Sequence, residues 1–444
     1  MMGIESVETF AGCEGYLDSL IPKGRMTRSD FGLDRMHALL DELGNPHEAY
    51  PIVHIGGTAG KGSTATIAAG IFQTAGYKTG LHLSPHLEDI RERAQINGSL
   101  MAPDSFVRLV GVVKGAVERV ELNYGYGKPT RFEALVAAAF QHFKDEAVDI
   151  AVVEVGLGGK LDGTNVVNSQ VSVLTNIGLD HMEILGDSVE EIARDKVQIF
   201  KRDSDVVSGV TQPSVIDIVE RRAKEMRCKL DLLGREIEYR IRDGAARSNR
   251  FDLRIGKTRY KDLELHLLGE HQTRNAALAV DASLKMAKHG FVIDEKDVRE
   301  ALKNIRVPGR FEVIGGNPVT ILDCAHNPMK MEAFVQTLRQ NYPNRKARIV
   351  LAAKKDKDVP GMLALLSGVV SKFYFTNFLV TTDFGKAMSF DPKEIKKLTT
   401  TQSEVIPDPI DAYNMAKSEC EKDELICITG SLYLVGELRA ELIR

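Results

Sequence analysis

Tryptophan is absent from this chain of 444 residues, and cysteine and long apolar runs are scarce. The five cysteines are scattered and include no C-x-x-C pair, which is typical of reduced thiols in a cytosolic protein. No apolar run reaches the roughly 18 residues of a membrane span, and the N-terminus carries acidic residues where a signal peptide would be basic. The sequence therefore predicts a cytoplasmic protein.

A marked charge excess of either sign is also missing. The formal net charge is −4, so the basic surface typical of a nucleic-acid-binding protein is not expected. Apolar residues make up 43% of the chain and charged residues 27%, which is ordinary for a soluble globular protein. A chain of this length usually folds into two or more domains.

Residues 51–72 combine a β-forming segment, a glycine-rich loop and an apolar-periodic helix. Glycine lacks a Cβ, so the loop can turn sharply and its N–H groups can converge on an anion at the positive end of the helix. The glycines are Gly56, Gly57, Gly60 and Gly62. Lys61 is predicted to neutralise a β- or γ-phosphate, and Ser63 or Thr64 to hold Mg²⁺.

The alternative for this loop is a glycine-rich turn with an exposed lysine. Phosphate binding is favoured because the loop lies between a predicted strand and a predicted helix. It also carries a lysine and hydroxyl side chains where the helix begins. The loop differs from the standard eight-residue P-loop, because Gly62 separates Lys61 from Ser63.

Two other predicted strands end in candidate metal ligands. Glu154 closes an almost wholly apolar segment, where a buried carboxylate is costly unless it is paired or bound to a metal; helix capping or a structural role is the alternative. His181 follows the strand at 171–174, and a lone histidine is more often structural. Three predicted strand ends, at the phosphate loop, at Glu154 and at Asp180-His181, carry residues that can bind a metal. This favours a ligand role for His181.

Lys196 falls on the inward face of a predicted helix that begins at Asp187 and Ser188, with Glu191 completing a capping box. One explanation is that the long side chain reaches back to water. The other is that burial lowers the pKa of the amine, which could then react with CO₂ to give a carbamate, an anionic metal ligand. The sequence leaves both open.

The remaining segments suggest how the chain is organised. Residues 84–87 form a proline-containing loop at a strand end, where α/β proteins place ligands. Residues 203–262 are more polar, and 230–233 and 250–255 suggest a small β excursion. A Pro-Gly break near residue 308 predicts domains at 1–304 and 305–444. Beyond it, strands alternate with helices in the manner of a doubly wound parallel sheet: 319–322, 347–353, 373–376, 404–406 and 425–428.

Together these motifs resemble the Mur ligase superfamily, and within it the folylpolyglutamate synthase/dihydrofolate synthase family. The resemblance covers nearly the whole chain and rests on residues 57–63, 84–87, 154–165, 178–181, 271–277, 308–312, 322–328, 356–358 and 429–433. The phosphate loop alone indicates the superfamily, whereas residues 84–87 and 161–165 indicate the folate branch. The inserted Gly62 is similar to this family's loop.

The resemblance implies an α/β protein with an N-terminal P-loop-containing central domain of the Mur ligase type and a C-terminal Rossmann-like doubly wound domain. It implies that ATP phosphorylates a pterin carboxylate and that L-glutamate attacks the acyl phosphate, acting on tetrahydrofolate, dihydropteroate or both. The expected partners are these small molecules, with no nucleic acid and no membrane, and the protein is expected to be a monomer. ATP and two Mg²⁺ ions are the implied cofactors.

The resemblance also implies a role for individual residues. Nucleotide contacts are expected at Thr58, Gly60, Lys61, Gly62, Ser63, Thr64, Asn275 (adenine), Arg310 and Asp323. Magnesium is expected near Ser63, Glu154, His181 and a carbamylated Lys196. Pterin or glutamate contacts are expected at Ser84, Pro85, His86, Thr130, Phe132, Asp162 and His326. Lys61, Lys196 and His326 are the implied catalytic residues.

Several positions depart from the family pattern without removing an expected ligand: Ala59 for Asn, Lys160 for Arg, Gln198 for Gly, Val307 for Trp, and Ala352-Ala353 at a strand end where glycine is usual. Two other functions remain alternatives, a Mur-type ligase for a cell-wall or polymer precursor and a P-loop nucleotide switch without ligase activity. One or two pterin substrates, tail length, linkage and oligomeric state are left open.

Overall fold

The first two-thirds of the chain is built around one mostly parallel sheet. The computed structural model describes residues 7–24, 30–245 and 248–443. The strands are β1 (Ile52–Gly56), β2 (Thr79–His82), β3 (Gln95–Ile96), β4 (Ser99–Leu100), β5 (Ile150–Glu154), β6 (Val171–Leu174), β7 (Asp205–Ser208) and β8 (Lys229–Leu232). Their order is β4-β3-β2-β5-β1-β6-β7-β8, and only β3 and β4 join it in antiparallel pairs.

Helices cover both faces of this sheet because its central strands are apolar on both sides. They are α1 (Phe10–Ser19), α2 (Asp34–Glu42), α3 (Lys61–Thr74), α4 (Pro103–Asn123), α5 (Arg131–Asp145), α6 (Met182–Leu185), α7 (Val189–Lys196), α8 (Pro213–Glu225), α9 (Glu270–Lys285) and α10 (Glu295–Asn304). One core joins the sheet to α3, α9 and α10, and another joins it to α1, α2, α4 and α5. The phosphate loop is thereby fixed between a buried strand and a buried helix.

The predicted β excursion is only partly correct. Residues 230–233 do not belong to it, because β8 pairs in parallel with β7 as the edge of the main sheet. An edge strand is half exposed, which explains its polar composition. The excursion itself is an antiparallel sheet of β9 (Ile237–Ala245), β10 (Ser248–Ile255) and β11 (Thr258–Leu265). Its apolar face packs onto α9 and α10.

A second sheet follows the predicted boundary, which falls between α10 and β12. Its strands are β12 (Glu312–Ile314), β13 (Thr320–Leu322), β14 (Ala347–Leu351), β15 (Val370–Phe375), β18 (Ser403–Val405) and β19 (Leu425–Thr429). The order is β12-β13-β19-β14-β15-β18, with β12 antiparallel. Its helices are α11 (Pro328–Asn341), α12 (Val359–Leu366), α13 (Pro392–Lys396), α14 (Pro409–Glu419) and α15 (Leu432–Leu442). All five predicted strands are present in this sheet.

A separate two-stranded hairpin projects from the second sheet. It consists of β16 (Leu379–Thr382) and β17 (Gly385–Met388), with Asp383 and Phe384 at its tip. It was not among the strands predicted from the sequence. No helix within the described residues is long and apolar enough to cross a membrane.

The Asp281 carboxyl group on α9 should make stability depend on pH. It is 2% exposed, its Oδ2 has no hydrogen-bond partner within the described residues, and burial raises its pKa to about 7. The folded state therefore favours the neutral acid. The contribution of the protonated Asp281 carboxyl group to stability is full below pH 4 and is lost as the pH rises through 7. Asp281→Asn should increase the free energy of unfolding at pH 8 by on the order of 2 kcal/mol, and much less at pH 4.

Urea unfolding at the two pH values measures this difference. The exposed Asp217→Asn on α8 is the matched control and should change the free energy of unfolding little. An equal effect of Asp281→Asn at both pH values would contradict the assigned protonation state.

Candidate active site

One cavity of about 780 Å³ lies where strand ends of the two sheets face each other. From the first sheet it is lined by the segments after β1, β2, β5 and β6. From the second it is lined by residues after β13, β14 and β19 and by the hairpin at 379–388. Carboxyl ends of parallel strands are where α/β folds place ligands.

The phosphate loop connects β1 to α3 and forms one wall of the cavity. Gly57 and Gly60 have positive φ angles of 142° and 79°, and a Cβ at either would collide with Thr175 or Asn275. Asn176 fixes the loop, since its carbonyl and side-chain oxygens accept from the Thr58 and Ala59 amides at 3.0 and 2.8 Å. The first-turn N–H groups of α3 lack intrahelical partners and are available to an anion.

Ser63 and Thr64 have different environments, which distinguishes the two hydroxyl candidates. Ser63 lines the cavity. Thr64 does not: it is fully buried, and its hydroxyl has no hydrogen-bond partner within the described chain. Successive residues of a helix point about 100° apart, so only one of the pair can face the loop's ligand. The structure places Ser63 there and Thr64 in the core.

Glu154 and His181 line the same wall. The Ser84 amide donates to Glu154 Oε2 at 3.1 Å, and a Cβ on Gly62 would lie 3.4 Å from that oxygen. Burial raises the pKa of the Glu154 carboxyl, and the Lys61 charge opposes this shift. His181 has a φ angle of 53°, and burial lowers its pKa to about 4 despite Asp180 beside it. The His181 imidazole is therefore neutral and available as a ligand, and the Ser84 amide holds the Glu154 carboxyl group on the same wall of the cavity.

These two residues do not make a metal site by themselves. Across the parts of the chain that the structure describes, no group of three or more His, Cys, Asp or Glu side chains could hold a metal ion. Magnesium commonly keeps waters and takes substrate phosphates with one or two carboxylates. The donor set fits a metal whose remaining ligands come from a bound nucleotide and from water.

Lys196 is buried, as the helical pattern predicts, with only 4% of its surface exposed. Its Nζ donates to the carbonyls of Gly57 and Gly158 at 3.0 and 3.4 Å, joining the two glycine loops. The alternative that it reaches back to bulk water is therefore wrong. Burial and the nearby Lys61 charge lower the pKa of the amine to about 7, so much of it is neutral at physiological pH.

The facing wall belongs to the second sheet. Asp323 accepts from the Phe311 and Ala325 amides, both at 2.8 Å, and this fixes the turn that carries Arg310. His326 donates from Nδ1 to the Cys324 carbonyl at 2.8 Å, which leaves Nε2 as an acceptor. Arg310, Asp323 and His326 all line the cavity.

Lys330 lines the cavity but was not among the site residues predicted from the sequence. It lies in the first turn of α11 and donates from Nζ to His326 Nε2 at 2.9 Å. Burial lowers its pKa to about 7, and Asp180 opposes that shift. Lys330 follows His326 by four residues, just inside the start of a helix, and this spacing could have suggested the pairing.

Asp180 links the two walls of the cavity. It belongs to the first sheet, yet its carboxylate accepts from Lys357 Nζ at 3.1 Å and from Asn327 Nδ2 at 3.3 Å. Both partners belong to the second sheet. Polar contacts beside the cavity thus connect the two lobes.

Comparison with known proteins identifies the family. The Mur ligase middle domain matches residues 55–283, and the Mur ligase glutamate ligase domain matches residues 309–432. The dihydrofolate synthase/folylpolyglutamate synthase of Bacillus subtilis is 33% identical over 417 residues, 93% of this chain and 95% of the relative. The chain belongs to the folylpolyglutamate synthase/dihydrofolate synthase family of Mur ligases.

Other relatives agree with this assignment. The dihydrofolate synthase/folylpolyglutamate synthase of Mycobacterium tuberculosis is 34% identical over 389 residues, 84% of this chain and 79% of the relative. The M. tuberculosis folylpolyglutamate synthase complexed with ADP superimposes with a TM-score of 0.87 at 30% identity, covering 98% of both chains. E. coli FolC in complex with DHPP and ADP gives 0.86 at 26% identity, covering 99% of both. The predicted family, the two-lobed α/β fold class and the assignment as an ATP-dependent ligase are confirmed.

In this Mur ligase the residues predicted to contact nucleotide or substrate also line the cavity, with Thr64 as the exception already described: Thr58, Gly60, Lys61, Gly62, Ser84, Pro85, His86, Thr130, Phe132, Asp162 and Asn275. Some of their polar groups are already engaged within the protein. Thr130 caps α5 by accepting from the Glu133 amide, and Asp162 accepts from the Leu157 amide at 2.7 Å. The contact of Thr130 and Asp162 with a pterin therefore stays a prediction.

Proposed function

We propose that this ligase adds L-glutamate to the carboxylate of a pterin, either tetrahydrofolate or dihydropteroate, through an acyl phosphate formed from ATP. The observation that supports it best is the convergence on one cavity of the phosphate loop, Glu154, His181 and Lys196 from the first sheet and His326 from the second. The activities for which the relatives are named, and the ADP and DHPP bound in two similar structures, support the same substrates.

The phosphate loop suits the nucleotide. Its glycines leave the backbone accessible, Lys61 supplies a positive charge, and the N-terminus of α3 favours an anion. The Asn275 side chain packs directly against Gly60, so it lies beside the phosphate loop. Arg310 and Asp323 approach from the second sheet.

The chemistry needs positioning and charge neutralisation more than a nucleophilic side chain. A carboxylate oxygen of the pterin attacks the γ-phosphorus, the bond to the bridging oxygen breaks, and ADP leaves. The glutamate amine then attacks the acyl carbon, phosphate departs, and the nitrogen gives up a proton as the amide forms. Enclosure between two lobes protects the acyl phosphate from hydrolysis.

Magnesium would be held by Ser63, Glu154 and His181, with a second ion near a carbamate on Lys196. When bound, the metal neutralises the phosphate oxygens. The chain's own contribution is a carboxylate fixed by the Ser84 amide and a neutral imidazole beside the phosphate loop. We also propose that the protein is cytoplasmic and monomeric.

His181→Ala should reduce the rate and weaken the response to Mg²⁺. Loss of one metal contact should raise the Mg²⁺ concentration for half-maximal rate about 10- to 100-fold. An Mg²⁺ titration of glutamate-dependent phosphate release measures this. The exposed His289→Ala is the matched control. An unchanged titration curve in His181→Ala would mean that this histidine is only structural.

Phosphate release with and without L-glutamate tests the function as a whole, with dihydropteroate and tetrahydrofolate as separate acceptors. Turnover should require glutamate and at least one pterin, and mass spectrometry should find the product heavier by one glutamyl residue. Glutamate-independent turnover would favour a nucleotide switch. Activity only on a UDP-muramyl acceptor would favour the cell-wall branch.

A further inference from the structure

The hairpin at 379–388 brings the second lobe onto the pterin side of the cavity. Residues 378–384 line the cavity, although the hairpin pairs with neither large sheet. The sequence predicted the C-terminal domain as the glutamate-binding side, with Arg310 and Asp323 also reaching the nucleotide. The position of the hairpin tip shows which part of the cavity it covers.

Two buried ion pairs fix that tip. Asp383 Oδ2 lies 2.8 Å from the Arg93 guanidinium and Oδ1 lies 2.8 Å from that of Arg131, and the three side chains are 9%, 3% and 5% exposed. Arg131 begins α5 between Thr130 and Phe132. Arg93 also donates to His86 Nδ1 at 3.0 Å. The tip is therefore anchored between two segments that carry predicted pterin contacts.

Apolar side chains on the hairpin remain exposed beside this anchor. Leu379 is 66% exposed and Phe384 is 52% exposed, yet both line the cavity. Phe31 and Phe132, from the first lobe, line it too. An exposed aromatic group continuous with a cavity marks a surface that a ligand can cover, and a planar aromatic ring system is the natural occupant.

We propose that Leu379 and Phe384 form the outer wall of the pterin site and help to determine which pterin is accepted, and that Asp383 is the residue that positions them. This inference rests on the proposed function and deepens it. The phosphate loop and the metal ligands lie on segments other than the hairpin, so the hairpin should affect pterin binding and leave nucleotide binding unchanged.

Phe384→Ala and Leu379→Ala test the wall directly, and both side chains are exposed enough that folding should be preserved. Each should raise KM for the pterin about 5- to 20-fold, while KM for ATP stays within about twofold. Met388→Ala is the matched control: Met388 is 68% exposed on the same hairpin, pairs with Leu379 across the strands, and does not line the cavity. It should behave like the wild type.

A double-mutant cycle tests the positioning role. Asp383→Asn should raise the pterin KM as Phe384→Ala does, and the double variant should be little worse than Asp383→Asn alone. Additive effects would overturn the positioning role. Wild-type turnover with an unchanged pterin KM in both Phe384→Ala and Leu379→Ala would overturn the wall itself. Absence of wild-type turnover with any pterin would overturn the proposed function and this inference with it.

Discussion

Lys61→Ala should lower kcat/KM for ATP about 10²- to 10³-fold, because one preorganised charge at a transferring phosphoryl group has an effect of that size. Lys61 is the first residue of α3 and lines the cavity. Its positive charge lowers the pKa values of Glu154, His181 and Lys196, so it interacts with each of these three groups on the first lobe's wall. Its removal leaves the phosphate oxygens without that compensation.

Steady-state kinetics with varied ATP measure this effect. Lys160→Ala is the control, since Lys160 is an exposed lysine of the other glycine loop and does not line the cavity. Lys61→Arg keeps the charge but changes its geometry, and it should recover only part of the rate. If Lys61→Ala retained the wild-type kcat/KM, the loop would not bind phosphate as described.

Lys196→Ala should be the second severe variant, with kcat reduced at least about 100-fold. The amine is buried, bridges two loop carbonyls and has a pKa of about 7. Addition of CO₂ to the neutral amine forms an N–C bond and releases one proton, which gives a carbamate. If the carbamate forms, ¹³C-bicarbonate should produce a carbamate signal in the wild type that is absent from Lys196→Ala, and acetate should partly restore the variant's rate.

Lys201→Ala separates this chemistry from the simple loss of a half-buried lysine. Lys201 Nζ also donates to a backbone carbonyl, that of Asn165 at 2.7 Å, and burial lowers its pKa to about 8, but it does not line the cavity. It should retain both turnover and the ¹³C signal. Full activity in Lys196→Ala, or a wild type without the signal, would exclude the carbamate.

The first lobe's wall could be predicted from the sequence because local pattern encodes it. A glycine-rich loop between β1 and α3, a carboxylate closing β5 and a histidine after β6 each follow a short apolar segment. Parallel strands bring such ends to one edge of a sheet, so adjacency in space follows from the strand assignments. The position of Lys196 followed from helical spacing in the same way.

Contacts between distant segments could not be predicted. Arg93 and Asp383 are 290 positions apart, and no periodicity relates them. The choice between Ser63 and Thr64 depends on the rotation of α3 about its axis, which a glycine-rich start does not define. The misassigned β8 shows a related limit, because an edge strand of the main sheet has the same polar composition as an independent hairpin.

The pairing of Arg93 and Arg131 with Asp383 has a consequence for recombining members of this family. A chimera that keeps the first lobe but receives a second lobe without the matching carboxylate would leave the buried Arg93 guanidinium without its counter-ion and Arg131 with only the partly exposed Asp18, 3.2 Å away. Leaving a buried charge unpaired in this way costs about 3–5 kcal/mol. Functional exchange of lobes between homologues should therefore succeed only when the acidic tip and both arginines are transferred as a set.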